Sequence, residues 1–516
     1  MSTATETRHA QGQQHDLSTR VKSTRGSGWR LVVLASAAFL CCGLAWIIAL
    51  APFTGIDEFD HAFRADSVAQ GHWQPGSDPL PARLGRGDLI PVRADLATSA
   101  APACLNLPYP GTYNCSPYAT RPGGNVLIAS AAARYDPVFY VIAGTLAKPF
   151  HGDAELYAMR VAGLLMCVGL FALSLCSLLL TSRTRWPLIG LLVGVLPTTV
   201  YSVAVAAPNG TQMMAGLAVW TGDMALIRHP DRPRWLHPAT ALAASLLVTT
   251  HTLGCLWLGL ICIGLAIHSG FREVLRALRP RTRAEIGGLA LLIGSIAFEI
   301  TWVLLARTNS PGSDSTPPGV HLFPALANGL ILWPLQAIAA YPMRNEPAPT
   351  TVYAISLVII VALGVLALRS AIRHRATRRS LLFVVAVSVL FPTVSTIVTY
   401  RAAGFAWQGR YGMPFSVGLF VLLGLALDRQ FRTHHPQRLV LGALPALWVA
   451  AQVVGATVTG VDQRRPGYFV VRNLWHAPSL SITLALGALA LLAAVGLCRQ
   501  LASDDTAVLP GTEPAS

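Results

Sequence analysis

The chain has 516 residues, of which 53% are hydrophobic and only 12% charged, about half the ~25% of an ordinary soluble protein. So little charge cannot coat a globular surface of this size in water, which excludes a soluble protein and leaves an all-α polytopic membrane protein. The formal net charge of +15 raises nucleic acid as a partner, but the basic residues sit mostly between apolar runs, where the bias of Lys and Arg toward the cytoplasmic side explains them.

Residues 1–29 carry Arg8, Arg20, Lys22 and Arg25 among polar residues and are expected to form a disordered cytoplasmic tail. The polytopic membrane domain is expected over 30–498. Its first span is residues 30–51; Pro52 and the many later apolar runs favour an uncleaved anchor over a signal peptide. Residues 53–134 then form a long first extracytoplasmic loop. Cys104 and Cys115 are its two cysteines, close in sequence and on the oxidising side, so a disulfide is expected between them. Residues 135–150 are apolar but short and read as a helix lying at the outer interface.

Further spans are expected near 155–181, 186–206, 211–228, 236–250, 252–268, 286–306, 351–368, 381–400, 411–427, 438–459 and 479–498. With the first, these make roughly twelve. Residues 236–268 hold either two short helices or one long tilted span. Alternate threading from a cytoplasmic N-terminus puts the Arg-rich segments 269–284 and 369–380 inside. It puts 307–350 outside as a second large extracytoplasmic loop, and 499–516 inside as a cytoplasmic tail. The expected location is the plasma membrane. High Ala, Arg and Gly with two lysines, Lys22 and Lys148, suggest a GC-rich bacterial genome such as an actinobacterium's.

Ionisable residues are scarce within the spans. Glu299 is the one acid well inside, whereas a transporter ordinarily needs such groups along its path. The acids gather instead in the first outer loop, as Asp57, Glu58, Asp60, Asp66, Asp78, Asp88 and Asp95. If the segment from Asp57 is helical, Asp57, His61 and Arg64 share one face, offset by four and three residues. A carboxylate there can take a proton from an attacking hydroxyl, and an arginine can fork onto phosphate oxygens. The same acids would also answer a helix dipole.

Four strings carry a family resemblance. They are Asp57-Glu58 with His61 and Arg64; Asp136-Pro137-Val138-Phe139-Tyr140; Pro208-Asn209-Gly210 before a span with Trp220; and Gly409-Arg410-Tyr411-Gly412-Met413-Pro414. Together, in this order from about residue 45 to 430, they resemble the DUF2142 family of bacterial membrane proteins. That family in turn resembles the GT-C glycosyltransferases, which use polyprenyl-phosphate sugars and carry an essential acid in the first outer loop. The resemblance implies an inverting transfer from a polyprenyl-phosphate-linked sugar donor to an envelope glycan or glycolipid acceptor. It implies Asp57 as base, with Glu58 as second choice, orienting group or metal partner. Arg64 and Arg410 become candidates for the phosphate, with His61 doing the same or holding Asp57. Tyr411 and Trp407 are candidates to stack on a sugar, or to anchor the chain at the membrane surface. Where family members carry an acid near the third string, this chain has Asn209 and Gln212, which points to a structural turn.

No Gly-rich phosphate loop or sizeable cytoplasmic domain is present for a nucleotide donor. Mg or Mn held by Asp57 and Glu58 is an open possibility, and no other cofactor is implied. The competing reading is a transporter or flippase of a lipid-linked envelope precursor, in which Glu299 would carry the function.

Overall fold

The computed structural model describes residues 28–74, 88–105, 116–121, 123–229, 231–306, 308, 321–342, 346–403, 407–428, 435–465 and 475–503. Helix α1 (Gly28–Ala49) is the first apolar run and is long enough to span a bilayer. The chain then builds a cap. It contains α2 (Glu58–Ala69), strand β1 (Asp88–Arg93), α3 (Ala94–Leu105), β2 (Ala119–Arg121), β3 (Asn125–Ser130) and α4 (Pro137–Ala147).

The cap adds a small antiparallel sheet, ordered β1-β3-β2, to an otherwise helical protein. Alternation explains it: Ile90 and Val92 of β1 and Val126 and Ile128 of β3 face the core and are paired in register. Pro91 is tolerated because β1 is an edge strand. The sheet packs with Phe59, Phe63, Phe139 and Tyr140 into a core of its own. α4 starts at Pro137 with the Asp136 side chain accepting the Val138 N–H. It crosses α2 so closely that a Cβ on Gly144 would lie 2.2 Å from the Ala65 carbonyl oxygen.

The membrane domain continues with α5 (Asp153–Thr181), α6 (Trp186–Gly194), α7 (Pro197–Val203), α8 (Pro208–Arg228), α9 (Leu236–Thr249), α10 (Gly254–Ser269), α11 (Phe271–Leu278) and α12 (Arg283–Ala306). It closes with α13 (Leu322–Ile338), α14 (Thr350–Arg373), α15 (Arg375–Ala403), the 3-10 turn Gly409–Gly412, α16 (Met413–Ser416), α17 (Gly418–Asp428), α18 (His435–Asp462) and α19 (Leu480–Ser503). The protein is a multi-pass membrane protein. Eight helices are long and apolar enough to cross a membrane, nine with a bent pair, among the described residues. The bent pair is α6 and α7, 66° apart, where Pro197 opens the second piece.

Roughly twelve spans were expected from hydropathy, and two features lower that number. α9, α10 and α13 have 14, 16 and 17 residues, short of a crossing. α8 has the length, but Thr211, Gln212, Thr221 and Asp223 make it polar, and nearly all of it is buried. It is the central post of the domain, and Trp220 on it donates Nε1–H to the Phe415 carbonyl at 3.0 Å. The peripheral α12, α14 and α15 instead expose long apolar side chains such as Leu304, Val365 and Val398 to the lipid.

Cys104 is disulfide-bonded, whereas seven cysteines of the helices are free. The expected partner, Cys115, lies outside the described residues, as do Asp78 and both chain ends.

Candidate active site

The turn that follows α1 decides the fate of the two adjacent acids. Asp57 precedes α2 with φ 56°, a left-handed conformation uncommon for a residue with a side chain. Its carboxylate makes no capping hydrogen bond to α2, so a response to the helix dipole does not explain its place. Instead, Oδ2 accepts from Arg410 Nη2 at 2.8 Å, a contact between residues 353 apart in sequence. The Asp57 side chain stays 37% exposed while that of Arg410 is 6% exposed. A half-open carboxylate is thus backed by an enclosed guanidinium.

Arg410 owes its position to the glycine before it. A Cβ on Gly409 would sit 2.0 Å from the Trp333 carbonyl oxygen, so only glycine lets the 3-10 turn settle on α13. The Gly409 N–H donates to Gln336 Oε1 of that helix at 2.9 Å. The Arg410 guanidinium lies 5.4 Å from the Tyr411 ring centre, and its Nε has no hydrogen-bond partner. One donor of this buried cation is therefore unpaired, as is the Nε of Arg64.

Glu58 goes the other way. It is fully buried, and Arg160 of α5 grips both oxygens, Nε to Oε1 at 2.8 Å and Nη2 to Oε2 at 2.6 Å. The N–H groups of Ala206 and Gly55 donate to the same carboxylate at 2.9 and 3.2 Å. Arg160 also donates to the carbonyls of Leu50 and Ala51 at 2.9 and 2.8 Å. Glu58 therefore clamps α2 to α5 and to the end of α1, which differs from the second-base or metal role expected for it. Mg or Mn does not fit the Asp57-Glu58 pair, because the two carboxylates diverge onto separate guanidinium groups. Among the described residues, no group of three His, Cys, Asp or Glu side chains is placed to hold a metal ion.

His61 and Arg64 share a face of α2, as their spacing predicted, and both meet Tyr140. His61 Nδ1 lies 2.7 Å from the Tyr140 hydroxyl, and the Arg64 guanidinium lies 6.0 Å from the Tyr140 ring centre. Burial lowers His61 to about 4, with the charge of Arg410 adding to the effect and that of Asp57 opposing it. The imidazole is neutral at physiological pH. Arg64 is fully enclosed and donates to three backbone carbonyls: His72 at 3.3 Å, Trp73 at 2.5 Å and Tyr135 at 3.0 Å. The phosphate role expected of Arg64 is at odds with this geometry: its Nη atoms tie the end of α2 to the approach to α4.

The remaining cap acids are mostly engaged within the cap. Asp60 is buried, accepts from the Ala131 N–H at 2.7 Å, and is pushed up to about 7 by burial. Asp66 pairs with Arg93 at 3.0 Å and Asp88 with Arg134 at 2.5 Å. Exposed Asp95 meets His151 at 3.0 Å. Asp57 differs from these in reaching the turn before α16, while Glu58 reaches α5.

A run of rings borders the Asp57–Arg410 pair. His61 and Tyr135 are 5.6 Å apart between ring centres, Tyr135 and His251 6.2 Å, His251 and Tyr411 5.9 Å, and Tyr411 and Trp407 5.7 Å. Trp407 is 8% exposed and forms a wall, held edge-on to Phe391. Tyr135, Tyr140, Arg160 and His251 carried no assigned role in the sequence reading. Tyr135 and Tyr140 flank or belong to the Asp-Pro-Val-Phe-Tyr string. His251 falls where two apolar runs were each too short to span, a sign of a break rather than of a site.

Fold and site define an integral membrane protein with a soluble-type cap, joined to the membrane helices by the Asp57–Arg410 pair. The chain belongs to the DUF2142 family, described as predicted membrane protein, whose family model matches residues 40–419. No curated protein matches it. It is similar in structure to ArnT from Cupriavidus metallidurans, solved as a crystal structure bound to undecaprenyl phosphate. That likeness has a TM-score of 0.43 and 15% identity, covering 93% of this chain and 78% of that one.

Proposed function

We propose that the protein is an integral membrane glycosyltransferase that moves a sugar from a polyprenyl-phosphate donor to an envelope glycan or glycolipid on the outer face of the plasma membrane. The observation that carries this reading is the pairing of half-exposed Asp57 with enclosed Arg410 at the mouth between cap and membrane domain. Asp57 takes the proton of an acceptor hydroxyl as its oxygen bonds to the anomeric carbon. The bond from that carbon to the phosphate oxygen breaks, its electron pair leaves with the polyprenyl phosphate, and the anomeric configuration inverts. Arg410 pairs with Asp57 at 2.8 Å and sets a positive charge beside the point where charge grows on the phosphate.

The position of Glu299 supports this reading over transport. It is 2% exposed, beside Asp136 at the cap, and one turn from Trp302, whose Nε1 donates to the Arg134 carbonyl at 3.0 Å. Trp302 makes the hydrogen bond to the cap here, so Glu299 lies within the contact between α12 and the cap. The test is transfer from a radiolabelled polyprenyl-phosphate sugar by membranes containing wild type, Asp57→Asn or Glu299→Gln. The glycosyltransferase reading expects Asp57→Asn to abolish transfer in a folded protein. Full activity of Asp57→Asn would remove the mechanism.

A further inference from the structure

We infer that Tyr135, His251 and Tyr411 form a platform that receives the uncharged ring of the transferred sugar. The inference rests on the glycosyltransferase reading and adds the subsite beside its base. The three rings come from three separate non-helical points of the chain: the approach to α4, the break between α9 and α10, and the 3-10 turn before α16. Residues at such points, held by a rigid scaffold, are well placed for contact with a ligand.

Exposure separates these rings from core packing. Phe63, Phe139 and Tyr140 of the cap core are at most 1% exposed, whereas Tyr135 is 36% exposed and His251 and Tyr411 are half-buried. The ring centres at 6.2 and 5.9 Å put the three rings in contact along one border, tilted to one another by 63° and 43°. Tyr411 also touches Arg410, so the platform runs to the ion pair.

The polar atoms fit a neutral sugar. The Leu253 N–H donates to His251 Nδ1 at 3.2 Å, which puts the imidazole proton on Nε2 and leaves an N–H donor at the ring edge. Burial, with the charge of Arg410 adding to it, lowers His251 to about 4, so the ring is neutral like that of His61. The apolar C–H face of a sugar packs on such rings while its hydroxyls meet the phenol and imidazole edges. The ring edges thus offer neutral hydrogen-bonding groups to the hydroxyls of a sugar.

The experiment uses the full chain in nanodiscs and four probes: decaprenyl phosphate alone, and decaprenyl phosphate carrying arabinofuranose, mannose or glucose. Wild type should bind at least one sugar-bearing carrier about tenfold or more tighter than the bare carrier. Tyr135→Leu, or His251→Leu where the first fails to fold, should remove that preference without weakening the bare carrier, and Tyr135→Phe should keep it. Equal binding of all four carriers by wild type overturns the platform, while the phosphate site stands if Arg410→Ala still loses the bare carrier. Failure of wild type to bind any carrier overturns the glycosyltransferase reading, and the platform with it.

Discussion

Asp57 and Glu58 are neighbours in the chain and each is paired with an arginine, yet the two ion pairs sit in different worlds. Glu58 and Arg160 are sealed among α1, α2, α5 and the turn before α8, with additional backbone donors and acceptors on both partners. Asp57 and Arg410 stand nearer the surface, with the Asp57 side chain 37% exposed. The difference comes from one backbone angle, because the left-handed φ of Asp57 turns its side chain away from the helix that Glu58 begins. A pair closed on all sides gives geometry. The more exposed pair carries the proposed base, and the closed pair fixes the turn on which it stands.

The sharpest way to break this contrast is to exchange the effects of the two acids. Asp57→Asn should lower transfer by about 10²–10⁴-fold, the range of a general base, with the thermal midpoint in detergent little changed. Glu58→Gln should do the reverse. It strands a buried guanidinium and should cost about 3–5 kcal/mol, read as a lower midpoint and less folded protein in the membrane. If Glu58→Gln folds normally and Asp57→Asn does not, the assignment of clamp and base is inverted.

A smaller effect distinguishes the cap by pH. His61 is lowered from 6.5 to about 4, so it binds its proton more weakly folded than unfolded. Its contribution, on the order of 3 kcal/mol, is present above about pH 6.5 and lost as pH falls through 4. Asp60 works in the opposite sense: raised from 3.8 to about 7, it favours the fold at low pH and ceases to do so as pH rises through 7. His61→Gln should therefore flatten the acid side of a stability–pH profile, and an unchanged acid limb would show that His61 is not neutral in the fold. The smallest effect is expected of Glu299→Gln, which should change transfer less than about tenfold (~1.4 kcal/mol). A loss exceeding that of Asp57→Asn would favour transport.

Much of this was legible in the residues alone. Apolar runs of twenty or so residues marked the membrane helices, and the short run 135–150 marked α4, since length against bilayer thickness is a one-dimensional property. The resemblance set Asp57 and Arg410 as candidates. Their pairing was not legible, because nothing in the spacing of residues 353 apart indicates that a glycine-permitted turn on α13 carries one to the other. The run 211–228 was read as a span for its length, whereas Thr211, Gln212, Thr221 and Asp223 make α8 a polar helix that its neighbours bury.

Sequence by itself determined the solvent of this protein and the concentration of acids beyond its first apolar segment, because composition and run length need no knowledge of contacts. Only the tertiary structure separated Asp57 from Glu58, enclosed Arg64, and drew Tyr135, His251 and Tyr411 into one rim. Burial and partnership are set by what other segments bring to a side chain, and those segments lie hundreds of residues away.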